Sequence, residues 1–233
     1  MKITIMQPYL FPYLGYFQLI NIADKFVIHD DVQYIKGGWI NRNQILLNRE
    51  AYLFTLSIKN DSAFLNINQR FFTENFDKER KRLLNIVDLS YRKAPYYSNI
   101  KKLLDRILYI DEINISKMIT HSLKLICDYL DIGTQVYFSS ELNKDNTLKG
   151  EERVISINKC LGSDHYINSI GGEKLYSREV FKRNDIKLSF IQPRYVEYNQ
   201  FNNQFVPWLS IIDVLMFNDK EKIQKMLNQY DLI

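Results

Sequence analysis

The stretch "HDDVQY", His29–Tyr34, holds the residues best suited to moving a proton. His29 stands beside two carboxylates, Asp30 and Asp31, in a chain with three histidines. An imidazole partnered by a carboxylate is fixed in one tautomer and made more basic, which suits a general base near neutral pH. Neighbours on a strand point to opposite faces, so only one of the two carboxylates shares the side of His29 if the strand runs through. The alternative is a polar strand end with an aspartate capping a turn. His121 lies inside the helical pattern "ISKMITHSLKLICDYL" and His165 opens a strand, and both read as structural.

Binding-type residues cluster on both sides of that stretch. "QPYLFPYLGYFQLI", Gln7–Ile20, packs Pro8, Pro12, Gly15 and five aromatics into one turn, which is more rigidity than a core requires. Gln7, Tyr9, Tyr13 and Tyr16 are candidates for a pocket wall, because tyrosine stacks on sugars and bases and also donates a hydrogen bond. "VQYIKGGWINRNQ" supplies Gln33, Lys36, Trp39, Asn41, Arg42 and Asn43. Arg42 has the fork that grips a phosphate or carboxylate, with Lys36 near it. Trp39 is a stacking surface, and the amides of Asn41 and Asn43 are donors for a developing oxyanion. The competing account is a Gly-Gly turn beside a core tryptophan. In "NSIGGEKLY", Ser169, Gly171 and Gly172 could cradle an anion where a helix begins, or form a plain turn. Neither GxGxxG nor a P-loop occurs, so NAD and ATP are not indicated. No GxSxG elbow supports a serine hydrolase.

The elements that would position these residues follow from periodicity. "KITIMQ" and "KFVIHD" read as strands, joined by a short helix over Leu14–Ala23. "NQILLN" and "YLFTLSI" flank Arg49-Glu50-Ala51 as a hairpin. Asp77–Leu89, Tyr97–Leu108 and Ser116–Leu130 have helical spacing, with Pro95 as a separator and Gly133 as a cap. Then come a strand over Gln135–Leu142, a helix over Glu151–Gly162, and a strand over His165–Ile170. A Gly-Gly turn and helix over Gly171–Ile186 and a strand over Lys187–Pro193 complete a βαβαβ pattern. Helices over Pro207–Phe217 and Lys220–Tyr230 finish the chain. The expected fold is α/β: a Rossmann-like, mostly parallel sheet with helices on both faces, plus a β-hairpin and a helical insertion at about residues 75–131 in one domain over 1–233. In such sheets ligands bind beyond the carboxyl ends of the strands. Gln7–Gly15, His29–Tyr34, Asn168–Tyr176 and Gln192–Gln200 all fall there.

Composition narrows the classes. With 31 Lys and Arg against 27 Asp and Glu, the net charge is +4, and the basic residues are interleaved with acids. A nucleic-acid partner is not expected, because no dense basic patch exists. A modest positive excess does suit a phosphorylated ligand. Cys127 and Cys160 read as two buried, reduced thiols rather than a disulfide framework, and three histidines with no HxxxH offer no metal site. Pro8 and Pro12 break the first apolar stretch, so no signal peptide is expected, and no apolar run reaches the length of a membrane span. The expected location is the cytoplasm.

Two resemblances add to this. "PYLGYFQLI" is similar to the strand-to-helix turn of nucleotidylyltransferases, in which two histidines flank a glycine; here Tyr13 and Tyr16 hold those places. Without the imidazoles that family's phosphate contacts are missing. The opening "MKITIMQPYLFPYLGYFQLINIADKFVIHDDVQYIKGGWINRNQI" resembles the WbqC-like proteins over its full length. "YRKAPYY" (Tyr91–Tyr97), "GGEKLY" and "FVPWLSIIDVLMFN" (Phe205–Asn218) also look like that family, so the resemblance spans nearly the whole chain. It implies a role in making bacterial surface polysaccharide, O-antigen included, since members are described as proposed glycine or aminoacyl transferases. The implied reaction is acylation of the amine of a nucleotide-linked amino-deoxy sugar, such as a dTDP-sugar. No catalytic set is carried over. On the physical reading His29 is the base, with Asp30 or Asp31 orienting it, and Arg42 and Lys36 meet the diphosphate. The acyl thioester donor, on a small acidic carrier protein or CoA, is a co-substrate, and no tightly bound cofactor is expected. A homodimer is compatible with this reading. The alternatives are a nucleotidylyltransferase-like enzyme that handles phosphate and a non-enzymatic sugar-binding or scaffold protein.

Overall fold

The computed structural model describes residues 1–233. The apolar run after Lys2 becomes β1 (Lys2–Met6), and the turn "QPYLFPY" delivers the chain into α1 (Leu14–Ile22) and then β2 (Lys25–Ile28). A hairpin follows, β3 (Arg42–Leu47) and β4 (Glu50–Thr55). Its turn is tighter than the three residues expected: Leu47 pairs with Glu50, and Asn48 and Arg49 take φ of 52° and 66°. Two consecutive left-handed residues match the twist of a hairpin, and Asn tolerates that conformation well. Helices α2 (Phe76–Tyr91), α3 (Tyr97–Leu108) and α4 (Ile115–Tyr129) come next. The chain then alternates through β5 (Gln135–Phe138), α5 (Gly150–Cys160), β6 (His165–Ser169), α6 (Arg178–Arg183) and β7 (Lys187–Pro193).

The end of the chain departs from expectation. Residues 207–210 are not helical, because Trp208 has φ of 61°, so α7 starts at Ile211 and runs to Phe217. Helix α8 covers only Lys220–Met226, and Tyr230–Leu232 form β8 instead. This last strand lies antiparallel to β7 and closes one edge of the sheet.

The sheet order is β5-β2-β1-β6-β7-β8, and its first five strands are parallel. The chain runs outward from β1 through β2 to β5, then crosses over and runs outward the other way through β6 to β7. The direction reverses between β1 and β6, which opens a crevice at their carboxyl ends. Both faces of the sheet are covered. Ile3, Ile5 and Val27 pack against Val154 and Ile157 of α5 and Phe181 of α6. Phe26 and Ile28 face the larger core, shared with α1, α4, α7, α8 and the hairpin. Burial on both sides explains why these strands read as continuous apolar runs rather than alternating ones.

The turn after β1 is held in a strained shape. Phe11 is buried, yet its φ is 44°. That conformation costs about 1–3 kcal/mol, roughly what burying a phenylalanine recovers. The balance is tipped by hydrogen bonds to the Phe11 carbonyl, from Asn43 Nδ2 at 2.9 Å and Ser210 Oγ at 2.7 Å. Residues about 30 and 200 positions away thus lock the turn.

Asn114 is the N-cap of α4: its Oδ1 accepts from the Lys117 amide at 3.2 Å, and its Nδ2 donates to the Asn68 carbonyl at 2.7 Å. Asn114→Ala removes both and leaves a largely buried carbonyl without its donor. A loss of about 1–2 kcal/mol in urea-monitored stability is expected, with no change in m-value. An unchanged midpoint would show that neither bond contributes.

Candidate functional site

A cavity of about 420 Å³ opens over the crevice between β1 and the β6–β7 pair. Tyr9, Pro12 and Tyr13 of the turn after β1 line one side, and Ile170, after β6, lies beyond them. Gln192 and Pro193, at the end of β7, form another part. The hairpin region adds Trp39 and Asn43, and the segment before α7 adds Trp208. The lining is aromatic and amide, with no Asp, Glu, Lys, Arg or His. Burial raises the Tyr9 and Tyr13 phenols above their ordinary range, and Tyr9 raises Tyr13 further, so both are neutral near pH 7. Flat rings and uncharged donors suit a sugar ring or a nucleobase.

Local sequence accounts for the shape of the wall. Gly15 lies directly against Tyr13: a Cβ there would run into the Tyr13 ring and lie 3.0 Å from Pro193. Tyr13 meets Trp208 edge to face, with 6.4 Å between centroids. Asn43 is buried and fully committed: Nδ2 donates to the Leu10 and Phe11 carbonyls, and Oδ1 accepts from the Gln44 amide. It shapes the cavity instead of meeting a ligand, so an oxyanion role is not available to it in this arrangement.

Of the residues singled out by sequence, Tyr9, Tyr13, Trp39 and Asn43 come together in this cavity, and the others do not line it. Tyr16 is buried in the core, edge-on to Phe17 and tilted against Phe26, and its hydroxyl donates to the Gln7 carbonyl at 2.8 Å. Its side chain therefore holds the turn, and Gln7 is the receiving end. Asn41 is also buried, accepting from Tyr34 and donating to the Leu56 carbonyl. Arg42 turns its fork onto the carbonyls of Gly37 and Gly38 and lies 5.7 Å from the Trp39 ring. It is a brace for the Gly-Gly turn. Gln33 is exposed and donates to the Ala63 carbonyl, and Lys36 is exposed nearby in sequence. Gly171 and Gly172 fall in a single 3-10 stretch, Ile170–Leu175, and a Cβ on Gly172 would meet Asn168 Nδ2 at 2.6 Å. Close approach to Asn168 explains that glycine. Ser169 caps the same stretch, its amide bonded to Asn168 Oδ1.

His29, Asp30 and Asp31 form a separate cluster beyond the ends of β2 and β5. Strand β2 stops at Ile28, so the three residues lie in the irregular segment that follows it. Asp30 is buried and accepts from both the amide and the hydroxyl of Ser140. It does not orient His29. Asp31 Oδ1 lies 3.9 Å from His29 Nε2, too far for a hydrogen bond, and both atoms are buried without a partner. The other oxygen, Oδ2, takes a 2.6 Å bond from Lys144, whose side chain is fully buried. Arg153 donates to the Asp31 carbonyl at 2.9 Å. The raised basicity expected of His29 is reversed: burial, the largest effect, lowers its pKa to about 4; Asp31 acts against that fall, and Arg153 and Lys144 add to it. Burial opposes ionisation of Asp31, but Lys144 holds its carboxyl below the usual range.

Sequence reasoning missed Trp208 as a lining residue, and Pro12, Ile170, Gln192 and Pro193 entered only as parts of stretches. The "PW" in "FVPWLS" was the available signal, obscured by its position in an apparent helix. Cys160, expected to be buried, is exposed at the end of α5, while Cys127 is buried and its thiol pushed up to about 12. No group of three or more His, Cys, Asp or Glu side chains is arranged to hold a metal ion, and no helix is long and apolar enough to cross a membrane.

The state of His29 makes stability depend on pH. The unfolded chain takes up a proton near pH 6.5, the folded chain only near pH 4. The His29 contribution is therefore complete above pH 6.5 and is lost as pH falls toward 4. The shift corresponds to about 3 kcal/mol. His29→Gln should abolish this component, so denaturation curves taken from about pH 7 down to about pH 4 should fall less steeply for the variant. Parallel curves would mean that His29 titrates normally in the fold.

A family model described as the WbqC-like protein family matches residues 7–225. An uncharacterized protein of Mycobacterium tuberculosis, Rv1507c, is 28% identical over 222 residues, covering 93% of this chain and 93% of that protein. No solved structure matches the chain. The family match takes in the turn after β1, the hairpin, the end of β7 and both tryptophans, and it shows that the chain belongs to the WbqC-like protein family.

Proposed function

We propose that the protein is a transferase that binds a nucleotide-linked amino-deoxy sugar in the crevice cavity and acylates its amine, with an acyl or aminoacyl thioester on a carrier protein or CoA as donor. The observation that carries the reading is the cavity itself: two tryptophans and two tyrosines around neutral amides, at the reversal point of a parallel sheet. Gln192 is exposed there, its amide free to donate and accept at once, as a hydroxyl-rich ring requires. In the reaction the amine nitrogen attacks the thioester carbonyl. A C–N bond forms, the C–S bond breaks, the thiolate leaves, and the ammonium proton passes to a base. His29 is neutral near pH 7 and is the candidate for that base, as a weak one. It lies outside the cavity lining with its Nε2 buried, so proton transfer requires that nitrogen to become accessible to the bound amine.

A second reading is favoured by one specific observation. No ionisable acid or base other than tyrosine lines the cavity, which is what a non-enzymatic sugar-binding protein needs.

The two tryptophans of the chain both line the cavity, so intrinsic fluorescence reports on ligand entry directly. A dTDP-linked amino sugar should shift Tm and change the emission, whereas ATP with Mg²⁺ should do neither. Trp39→Ala should weaken binding about tenfold, since one stacking contact is worth about 1–3 kcal/mol, and Gln192→Leu should weaken it several-fold, since a hydrogen bond is worth about 0.5–1.5 kcal/mol. Acyl transfer, followed by mass spectrometry, should be lost in His29→Gln while binding persists. Its acid limb should lie near pH 4 instead of 6.5. Binding with no transfer from any thioester would favour the second reading, and a response to ATP with Mg²⁺ alone would remove both.

A further inference from the structure

Asp213 has no place in the chemistry above, yet it is the most tightly held carboxylate in the molecule. It lies on α7, fully buried. Its Oδ1 accepts from the Tyr91 hydroxyl at 2.8 Å. Its Oδ2 accepts from the Tyr198 hydroxyl at 2.6 Å and from Gln200 Nε2 at 2.7 Å. A carboxylate is removed from water only at a cost of several kcal/mol, which these donors must offset. Such an arrangement is retained where geometry matters.

Two of the donors come from a segment that walls the cavity, and the third, Tyr91 of α2, reaches the hairpin wall through a further bond. Tyr198 and Gln200 belong to the strap of residues 194–210, which joins β7 to α7 with neither helix nor strand. Phe201, Asn202 and Trp208 in that strap have φ of 55°, 57° and 61°, so local preference does not set its path. Gln200 also accepts from the Val206 amide at 2.7 Å, drawing the strap's two limbs together two residues before Trp208. On the other side, the Tyr91 hydroxyl accepts from the Leu46 amide of β3 at 2.7 Å, which ties the hairpin to the same carboxylate.

We infer that Asp213 is a positioning residue: it fixes the strap, and with it Trp208, against the hairpin wall, and so sets the width of the cavity. The effect on binding rests on the cavity being the ligand site, as proposed above; the effect on the strap does not.

The experiment separates the two. Trp39→Phe leaves Trp208 as the single tryptophan, and acrylamide quenching of its emission reads the strap in the full chain without any ligand. Tyr198→Phe in that background should raise the quenching constant about twofold, and Asp213→Ala should raise it further, since each strips donors or the acceptor from the strap's anchor. The control is Tyr97→Phe, which removes a similar tyrosine–aspartate bond (Tyr97 to Asp88 Oδ1, 2.8 Å) elsewhere and should leave quenching unchanged. In the chain with both tryptophans, Tyr198→Phe should weaken binding of a dTDP-linked amino sugar about tenfold. Quenching in Tyr198→Phe equal to that of its parent would overturn the inference, even if Asp213→Ala does not fold. So would an unchanged affinity despite a loosened strap. Higher quenching in Tyr198→Phe, together with no binding of a sugar nucleotide by the chain with both tryptophans, would keep the tether and overturn the functional reading alone.

Discussion

A buried carboxylate constrains everything packed around it. Asp213 is raised above the ordinary carboxylate range, chiefly by burial, while Tyr198, Tyr91 and Gln200 act against that rise. Remove any one donor and the rest must carry a charge that the surrounding core of Leu, Ile and Phe side chains cannot solvate. The donors come from two parts of the chain, α2 and the strap, so the carboxylate on α7 couples all three at one point. Through the Tyr91 hydroxyl and the Leu46 amide it also reaches β3. Apolar packing alone would permit these parts to slide, because it is non-directional. Directional bonds to one acceptor do not.

The same logic explains the turn after β1. Its carbonyls at Leu10, Phe11 and Pro12 are claimed by Asn43, Ser210 and the Ile211 amide. The hairpin and the start of α7 thus grip the turn from two sides, and the strap links α7 back to β7. The cavity is what remains between four mutually fastened pieces. Its neutral lining follows as well: the nearby polar side chains are spent on backbone groups, which leaves aromatic faces and the Gln192 amide for a ligand. An enzyme built this way recognises shape and stacking first, and a charged part of the ligand must find its partners outside.

Periodicity made the sheet legible. β-branched runs, two-residue punctuation and the βαβαβ rhythm identify the parallel strands, and their order places the crevice. It failed at the C-terminus, where "PWLSIIDVLMF" carries a helical pattern from its first residue, yet Trp208 takes a left-handed conformation held from outside. Local preference was overruled there by tertiary bonds: Ser210 donates its amide to Gln44 and its hydroxyl to Phe11. No window of neighbouring residues contains that information. The same is true of β8, whose pairing with β7 depends on an edge left open by the rest of the sheet.

Residue type predicted chemistry poorly wherever burial decides the outcome. Arg42 and Asn41 look like ligand-binding groups, but buried and half-buried carbonyls nearby needed donors and took them. His29 shows the effect most clearly. Adjacent aspartates in sequence suggest a carboxylate-assisted base, yet Asp30 is engaged by Ser140, and Asp31 by Lys144, from more than a hundred residues away. What His29 keeps is the burial without the partner, and desolvation then pushes it toward the neutral form. The unpaired Nε2 and Asp31 Oδ1, 3.9 Å apart, are two buried groups that a small inward shift would join. Such a shift would raise the basicity of His29, since the nearby negative charge would then act through a direct hydrogen bond. The candidate base is therefore weak in this arrangement for a reason that movement, not titration, would remove.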